Sequence, residues 1–330
     1  VISGNHDSAA RLDAPDALFG SLGVKVVGGM TCSSGDLDSA RALAPIRNRD
    51  GIAAWVAAVP FLRAADLDPT VLRTEGHVGG VRDAYGRVLD LAREQRAPDQ
   101  AIRAMGHAYM TGGWLSEDSE RRVTRGAEEA LPVDIFGPDV SYVALGHLHM
   151  AQTVGEHEHI RYSGSPIPLS MGEDGYLHQV LVADFDGSEL TCVRELPVPR
   201  EVPLIRFRHG EPLPIDATLA ALRKLEVIDR PVDQRPFLEI SVFLDRPEPN
   251  LRAKILEALG ATPVRLTKID ATRPERAGTC LGDVAVQREL SEMAPAEVFR
   301  LLHQREHRCP PDDDLVSAFG ELEALVHEQP

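Results

Sequence analysis

The stretch Ser3-Gly4-Asn5-His6-Asp7-Ser8 places an amide, an imidazole and a carboxylate in three consecutive residues behind a glycine. Val1-Ile2 before it looks like the tail of a buried β-strand, so the glycine opens the loop that leaves this strand. Ligands of open α/β sheets bind outside the carboxyl ends of the strands, so this loop can aim Asn5 and His6 at one point. Asp7 can hydrogen-bond an imidazole and fix its tautomer. An ordinary polar turn is the alternative, because Asn, Asp and Gly also dominate turns.

Two further glycine-led corners follow apolar runs later in the chain. Gly106-His107 comes after a strand predicted from residue 100 to residue 104, and Gly146-His147-Leu148-His149 follows a strand predicted over residues 140–145. In the corner at residues 146–149, His147 and His149 are separated by one residue, so both imidazoles are expected to point the same way from an extended backbone. Neutral imidazole is the commonest ligand of transition metals, although a solitary histidine is usually structural.

The three corners are expected to meet at one edge of a sheet, because the carboxyl ends of its strands converge there. They offer nitrogen and oxygen ligands and no thiolate, a combination that suits Mn, Fe or Zn. The predicted metal ligands are Asn5, His107, His147 and His149. A two-metal hydrolytic site normally includes a bridging carboxylate, and none of these corners supplies one.

Composition limits the class of protein. The chain has 330 residues, 43% of them hydrophobic, so it is long enough for two or more domains. Its formal net charge of −16 argues against coating a polyanion with the whole surface. This charge does not exclude a local basic groove. The candidates for DNA binding are Arg121, Arg122 and Arg125, and the alternative for them is a solvated loop or helix face. No apolar run approaches the roughly 20 residues of a membrane-spanning helix, and the cysteines form no C-x-x-C pair, which suits reduced thiols in a cytoplasm.

The order of predicted elements divides the chain into three regions. Residues 1–199 alternate strands and helices, which is typical of an α/β domain, with helices predicted over 9–22 and 81–94. Further strands are predicted over 24–27 and 52–59, and a hairpin pairs 180–185 with 189–195. Residues 200–275 have the pattern of a βαβαβ unit, which predicts a small α+β domain. Its strands are predicted over 202–207, 237–244 and 263–269, and its helices over 217–225 and 251–259. Residues 276–330 form a helical region, with helices predicted over 283–306 and 314–328, and such a region can cap a domain or hold a partner.

The three corners resemble the last three motifs of the calcineurin-like metallophosphoesterases, in family order. The run from Gly4 through Arg11-Leu12, together with Tyr162-Ser163-Gly164-Ser165-Pro166-Ile167-Pro168-Leu169-Ser170, narrows the resemblance to the SbcD nuclease family. The similarity covers residues 1–199, and beyond them it rests on the βαβαβ pattern and the closing helices. The resemblance implies a calcineurin-like metallophosphoesterase sandwich, then a small α+β DNA-capping domain, then C-terminal helices that bind an ATPase partner.

The resemblance also assigns roles by position. Asn5, His107 and His147 are expected to ligate the second of two divalent ions, Mn²⁺ being the family's usual metal, and His149 to ligate the first. His6 is expected to stabilise charge on the phosphodiester or help its leaving oxygen, with Asp7 orienting it. In the family, an Asp-x-His and a Gly-Asp-x-x-Asp motif precede the first corner and carry the remaining ligands, whereas here three residues precede it. A chain that lacks these N-terminal motifs is expected to be inactive by itself.

The activity implied by the resemblance is hydrolysis of DNA, as a double-strand exonuclease and a single-strand or hairpin endonuclease in DNA repair, recombination and replication. The expected partners are double-stranded DNA and an SbcC-like ATPase, in a heterotetramer that contains a homodimer of this chain, with no membrane. Two alternatives stay open. One is another calcineurin-like phosphodiesterase acting on small phosphoesters, against which the segment over residues 162–168 and the additional domain count. The other is a non-catalytic scaffold that binds DNA and the ATPase.

Overall fold

The computed structural model describes residues 1–31, 37–114, 130–273, 295–307, 309–312 and 315–320. The chain divides into two units, Val1–Thr272 and Arg273–Pro330. Among the described residues, none of the helices has the length and apolar character that crossing a bilayer requires. The three corners all lie in the first unit.

A six-stranded mixed sheet carries the corners. Its central strands read as apolar runs, as parallel strands covered on both faces do, and they bury Trp55, Ile102 and Val143. The strand order is β1-β2-β3-β4-β6-β5, with the four central strands parallel and β1 and β5 antiparallel at the edges. The strands are β1 (Leu43–Asn48), β2 (Gly51–Ala58), β3 (Ala101–His107), β4 (Val140–Gly146), β5 (Gln152–Val154) and β6 (His157–Tyr162).

The helices of this region differ from their predictions in two places. The single helix predicted over residues 9–22 is wrong, because Pro15 separates α1 (Ala9–Asp13) from α2 (Asp16–Ser21). Proline has no N–H to donate, so it suits the start of α2 better than a helix interior. The strand predicted over residues 24–27 is reduced to an isolated parallel bridge between Ile2 and Val27.

Helix α3 (Pro69–Gln95) begins earlier than predicted. The Asp68 side chain caps its first turn by accepting hydrogen bonds from the Thr70 and Val71 amides. Gly76 has φ 72° and interrupts the helical geometry, so the prediction over residues 81–94 falls within the second part of α3. That part packs Val88, Leu89 and other apolar residues on the sheet. They belong to a core whose buried members lie between Val27 and Tyr162 in the sequence.

The hairpin is confirmed, and the predicted βαβαβ elements occur in their predicted order, with one further short strand before the first helix. Strands β7 (Gln179–Asp186) and β8 (Glu189–Pro197) pair antiparallel around Gly187. A four-stranded parallel sheet follows, in which β11 is the central strand. It pairs with β12 and also with β9 and β10. It has its own core, which includes Leu222, Leu238 and Ile255. The elements are β9 (Leu204–Phe207), β10 (Leu213–Pro214), α4 (Ile215–Leu222), β11 (Phe237–Phe243), α5 (Leu251–Leu259) and β12 (Arg265–Thr272).

The second unit contains helix α6 (Pro295–His307) and a helical segment over residues 315–320. The Phe299 and Phe319 rings stack with centroids 4.4 Å apart. The parts of the two predicted helices over 283–294 and 321–328 lie outside the described residues. The whole is a mixed α/β protein with several sheets. The packing of a metallophosphoesterase sandwich and the domain limits 1–199, 200–275 and 276–330 stay predictions.

Candidate metal and catalytic site

The three corners lie at one edge of the six-stranded sheet. Strand β3 ends at His107, which pairs in register with Gly146 at the end of β4. The N-terminal segment reaches the same edge because the Ser3 amide donates to the Val27 carbonyl and the Ser3 carbonyl accepts from the Phe61 amide, at 3.2 and 3.0 Å. The parallel pairing of β3 with β4 and the hydrogen bonds of Ser3 together bring Asn5 and His107, 102 positions apart in sequence, into contact.

His107 is the centre of the site. Its Nε2 lies 3.1 Å from Asn5 Oδ1, within hydrogen-bond distance. Two glycines permit this approach: a Cβ built on Gly4 would lie 2.7 Å from His107 Cε1, and one on Gly146 would lie 3.0 Å from His107 Nδ1. Real Cβ atoms essentially never approach another atom as closely as 2.7 Å, so residue 4 must be glycine unless the ring moves, and a Cβ at residue 146 would make an unusually tight contact.

The electrostatics of His107 show which side chains surround it. Burial, followed by the positive charge that neighbouring His147 would carry, lowers the pKa of His107 to about 4. Asp7 acts in the opposite direction, while His6 and His149 add to the lowering. The other five predicted site residues are thus gathered around the imidazole of His107. Since a metal binds the neutral form of histidine, a low pKa keeps His107 ready to ligate at neutral pH.

His147 has an unusual backbone conformation. Its φ is 108°, in the region that favours glycine, and such strain costs of the order of 1–3 kcal/mol. The His147 ring meets the His107 ring edge to face, with centroids 5.3 Å apart. Strained residues persist where the surrounding structure determines them, and they concentrate at functional sites. The conformation is therefore consistent with a role for His147 in the site.

His149 is held by a residue that the sequence did not single out. Its Nδ1 lies 2.8 Å from Oε1 of Glu173, whose side chain is fully buried. Nothing in the local sequence marks Glu173, which sits in Met171-Gly172-Glu173-Asp174 among 51 acidic residues in the chain. Its position three residues after Ser170, where the segment that carries the family resemblance ends, is the one signal that could have identified it.

Asp7 and His6 occupy the exposed side of the first corner. The Asp7 carboxylate accepts a hydrogen bond from the Gly4 amide at 2.7 Å and so closes the turn that presents Asn5. The role of Asp7 in orienting His6 stays a prediction, as do the metal and catalytic roles of the whole set. Arg121, Arg122 and Arg125 lie outside the described residues.

The donor atoms at the edge fit a divalent cation in part. Two donors that each lie about 2.1 Å from an ion at about a right angle are about 3.0 Å apart, close to the separation of Asn5 Oδ1 and His107 Nε2. Among the described residues, no group of three or more His, Cys, Asp and Glu side chains is arranged to hold a metal by itself. A donor of another kind, the amide oxygen of Asn5, lies beside His107 at this edge.

Fold and site together define a class of mixed α/β proteins that gather an amide and several imidazoles at the carboxyl edge of a parallel sheet. Residues 200–307 match the SbcD_C family, described as the type 5 capsule protein repressor C-terminal domain. The SbcD subunit of nuclease SbcCD from Rhodobacter capsulatus is 40% identical over 304 residues, which cover 91% of this chain and 74% of that relative. Its counterpart of the same name in Escherichia coli K12 is 30% identical, over 91% of this chain and 72% of its own. This chain belongs to the SbcD family.

Proposed function

We propose that this chain is the nuclease component of an SbcCD-type complex, a metal-dependent phosphodiesterase that acts on DNA in the cytoplasm. Its activities would be exonuclease action on duplex DNA and endonuclease action on single strands and hairpins. An SbcC-like ATPase would supply ATP-driven access to DNA, within a heterotetramer that contains two copies of this chain. One observation carries the proposal: in a member of the SbcD family, Asn5 and the imidazoles of three corners meet around His107.

Each gathered residue has a chemical task in this proposal. Asn5, His107 and His147 would hold one divalent ion and His149 would contribute to the second, with Mn²⁺ as the proposed metal. Two such ions, when bound, activate water and stabilise the attacking and leaving oxygens of the phosphodiester. His6, exposed beside Asn5, would donate a proton to the leaving oxygen or stabilise charge on the phosphate. Asp7 would preserve the turn through its hydrogen bond to Gly4.

The test separates binding of metal from chemistry. In the protein produced from its natural gene, together with its ATPase partner, His107→Asn is expected to lose high-affinity Mn²⁺ binding and cleavage of linear duplex DNA. His6→Asn is expected to retain Mn²⁺ and lose about 10²–10⁴-fold in cleavage rate, the usual contribution of a general acid or base. Titration of Mn²⁺ by calorimetry and a DNA degradation assay give the two readouts.

His157→Asn is the matched control, because this exposed histidine lies on β6 in the hairpin with β5. It should change neither readout. A His107→Asn protein that binds Mn²⁺ and cleaves DNA like the control would contradict the proposed site. Wild-type protein that binds DNA and ATPase but neither binds Mn²⁺ nor cleaves DNA would identify a scaffold.

A further inference from the structure

Glu173 is a fully buried carboxylate at the end of a single 3₁₀ turn, Met171–Glu173. Oε1 lies 2.8 Å from His149 Nδ1 and 3.4 Å from Ser170 Oγ, while Oε2 accepts from the Leu169 amide at 3.0 Å and from Ser165 Oγ at 3.1 Å. A carboxylate has about four lone-pair positions, and here four donor groups face them. The pocket is therefore built for a group that only accepts hydrogen bonds.

The hydrogen bond to Glu173 determines the tautomer of His149. A carboxylate accepts, so in the neutral ring Nδ1 carries the proton and Nε2 carries the lone pair. The same hydrogen bond holds the plane of the ring, whose side chain is 26% exposed. Neutral histidines that bind metals commonly donate their second nitrogen to a carboxylate in this way, which both orients them and increases their basicity.

The main chain of His149 is held by the same segment. The Ser165 amide donates to the His149 carbonyl at 2.9 Å, while the Ser165 hydroxyl reaches Glu173. Gly164 has φ 78°, and a Cβ there would lie 2.7 Å from the His149 carbonyl oxygen. His178, buried as well, places Nδ1 2.9 Å from the Ser165 carbonyl. Backbone and ring of His149 are thus fixed by one connected network.

The turn that carries Glu173 is anchored from the part of the chain after residue 197. Arg200 Nη2 donates to the Glu173 carbonyl at 3.3 Å, and Arg206 Nη1 lies 3.8 Å from Asp174 Oδ1. These contacts involve the backbone and the adjacent residue, so they leave both Glu173 oxygens to the network around His149. Two arginines therefore hold the turn without competing for the carboxylate.

We propose that Glu173 is the positioning residue of His149. It fixes the Nδ1–H tautomer and the plane of the ring, so that the Nε2 lone pair can bind a metal ion at the edge of the six-stranded sheet where the three corners lie. This inference rests on the proposed function for the identity of the metal site, but its structural part does not depend on metal. The recognised group is a divalent cation that accepts imidazole ligands. Glu173 itself contacts neither cation nor DNA in this proposal.

The tautomer is tested directly by long-range ¹H–¹⁵N NMR of the protein produced from its natural gene, with the His149 signals assigned by comparison with His149→Gln. Wild-type protein without metal should show the Nδ1–H form. Glu173→Gln should lose this preference, because the amide group turns an N–H toward donors that need an acceptor. Mn²⁺ affinity should fall about 10–100-fold in this variant, the range for loss of a carboxylate behind a metal-binding histidine.

Glu158→Gln is the matched control, because it makes the same exchange at an exposed glutamate on β6. It should leave the tautomer and Mn²⁺ affinity unchanged. An Nε2–H tautomer in the wild-type protein would overturn the inference even if Glu173→Gln failed to fold. So would a folded Glu173→Gln protein with unchanged tautomer and affinity. If wild type binds no Mn²⁺ but shows a Glu173-dependent Nδ1–H form, the metal proposal fails and the positioning of His149 stands.

Discussion

Gly4 shows how a residue without a side chain can determine a site. Its backbone lies against the edge of the His107 ring, so any Cβ would enter space that Cε1 and both ring nitrogens occupy, at 2.7–3.0 Å. The ring cannot retreat freely, because Gly146 contacts it from β4 and Phe61 meets it edge to face with centroids 6.1 Å apart. The contact between His107 and Asn5 therefore depends on the absence of a methyl group at residue 4.

We expect Gly4→Ala to displace the His107 ring and disrupt its contact with Asn5. Overpacking of this kind costs about 1–3 kcal/mol of the free energy of unfolding. Mn²⁺ affinity should fall by at least about tenfold, as for loss of a supporting group at a metal site. Urea unfolding and Mn²⁺ calorimetry on the protein produced from its natural gene measure the two effects.

Gly20→Ala is the control for this substitution. Gly20 lies in α2, and no heavy atom comes within 4 Å of a Cβ built there. Alanine should increase stability by up to about 1 kcal/mol, because it favours helix more than glycine does. If Gly4→Ala behaved like Gly20→Ala in both measurements, the packing of Gly4 on His107 would not be what holds the site together.

The residues around His107 were predictable from sequence because each follows a glycine at the end of an apolar run. The placement of His107, His147 and His149 needed only the rule that parallel strands end at a common edge. Asn5 instead follows an isolated bridge at Ile2 and reaches the edge through the backbone hydrogen bonds of Ser3. Glu173 was not predictable in this way. Its burial results from a turn folded back onto His149, and a local Gly-Glu-Asp-Gly sequence is what an exposed turn also contains.

At the scale of elements, a charged residue occupies the centre of the second sheet. Glu239 on β11 is paired in register with Arg206 on β9 and Lys268 on β12. Its oxygens lie 2.7 Å from Arg206 Nε and 2.8 Å from Lys268 Nζ, with 2% of the Glu239 side chain exposed. Three strands that are far apart in sequence are thus joined by one carboxylate. The pairing is consistent with a role in fixing the register of a parallel sheet.

Glu239→Gln is expected to cost about 1–3 kcal/mol of the free energy of unfolding at about pH 7, since hydrogen bonds to charged groups contribute about this much. Burial opposes ionisation of Glu239, but the hydrogen bonds from Lys268 and Arg206 outweigh it and hold its pKa below the usual 4.5. A carboxylate whose pKa is lower in the folded state stabilises above its unfolded pKa, and loses this effect as pH falls through the folded value. The difference between wild type and variant should therefore shrink from about pH 7 to about pH 3.5.

Glu248→Gln serves as the comparison, because Glu248 pairs with Lys254 at 2.6 Å outside the core. It should cause a smaller loss of stability, since exposed ion pairs are screened by solvent. Urea unfolding of the three proteins at both pH values measures the effect. A gap between wild type and Glu239→Gln that stayed constant or grew toward acid would show that the Glu239 charge is not what stabilises this sheet.

Elements were easier to predict than their partners. Helix α5 matches its predicted limits, since it has regular apolar spacing and no internal Gly or Pro. Strand β1 was missed, because Leu43-Ala44-Pro45-Ile46-Arg47-Asn48 contains a proline and leaves its last four residues exposed, as an edge strand can. Strand order depends on contacts between distant segments. No local pattern could show that β6 lies between β4 and β5.

At the scale of the whole molecule, the first unit contains two apolar cores. Among the described residues, the core that extends from Val27 to Tyr162 shares no member with the core around Leu222 and Ile255. Polar contacts of the turn at Glu173, made with Arg200 and Arg206, join the two regions. Two polar contacts, one of them an ion pair with its charged atoms 3.8 Å apart, couple the two regions weakly compared with shared apolar packing. The two cores should therefore open separately, although contacts along the chain make residues 1–272 one compact unit.

We expect Ile255→Ala to show this independence. Ile255 is fully buried, and truncation to alanine costs about 2–5 kcal/mol. Amide exchange followed by mass spectrometry should accelerate in β9, β11 and β12 and stay unchanged in β3 and β4, because proteins open in local cooperative units. Leu89→Ala, in the other core, should give the reverse pattern. Equal acceleration on both sides in either variant would mean that the two cores unfold together. The turn at Glu173 would then couple the six-stranded sheet strongly to the second sheet.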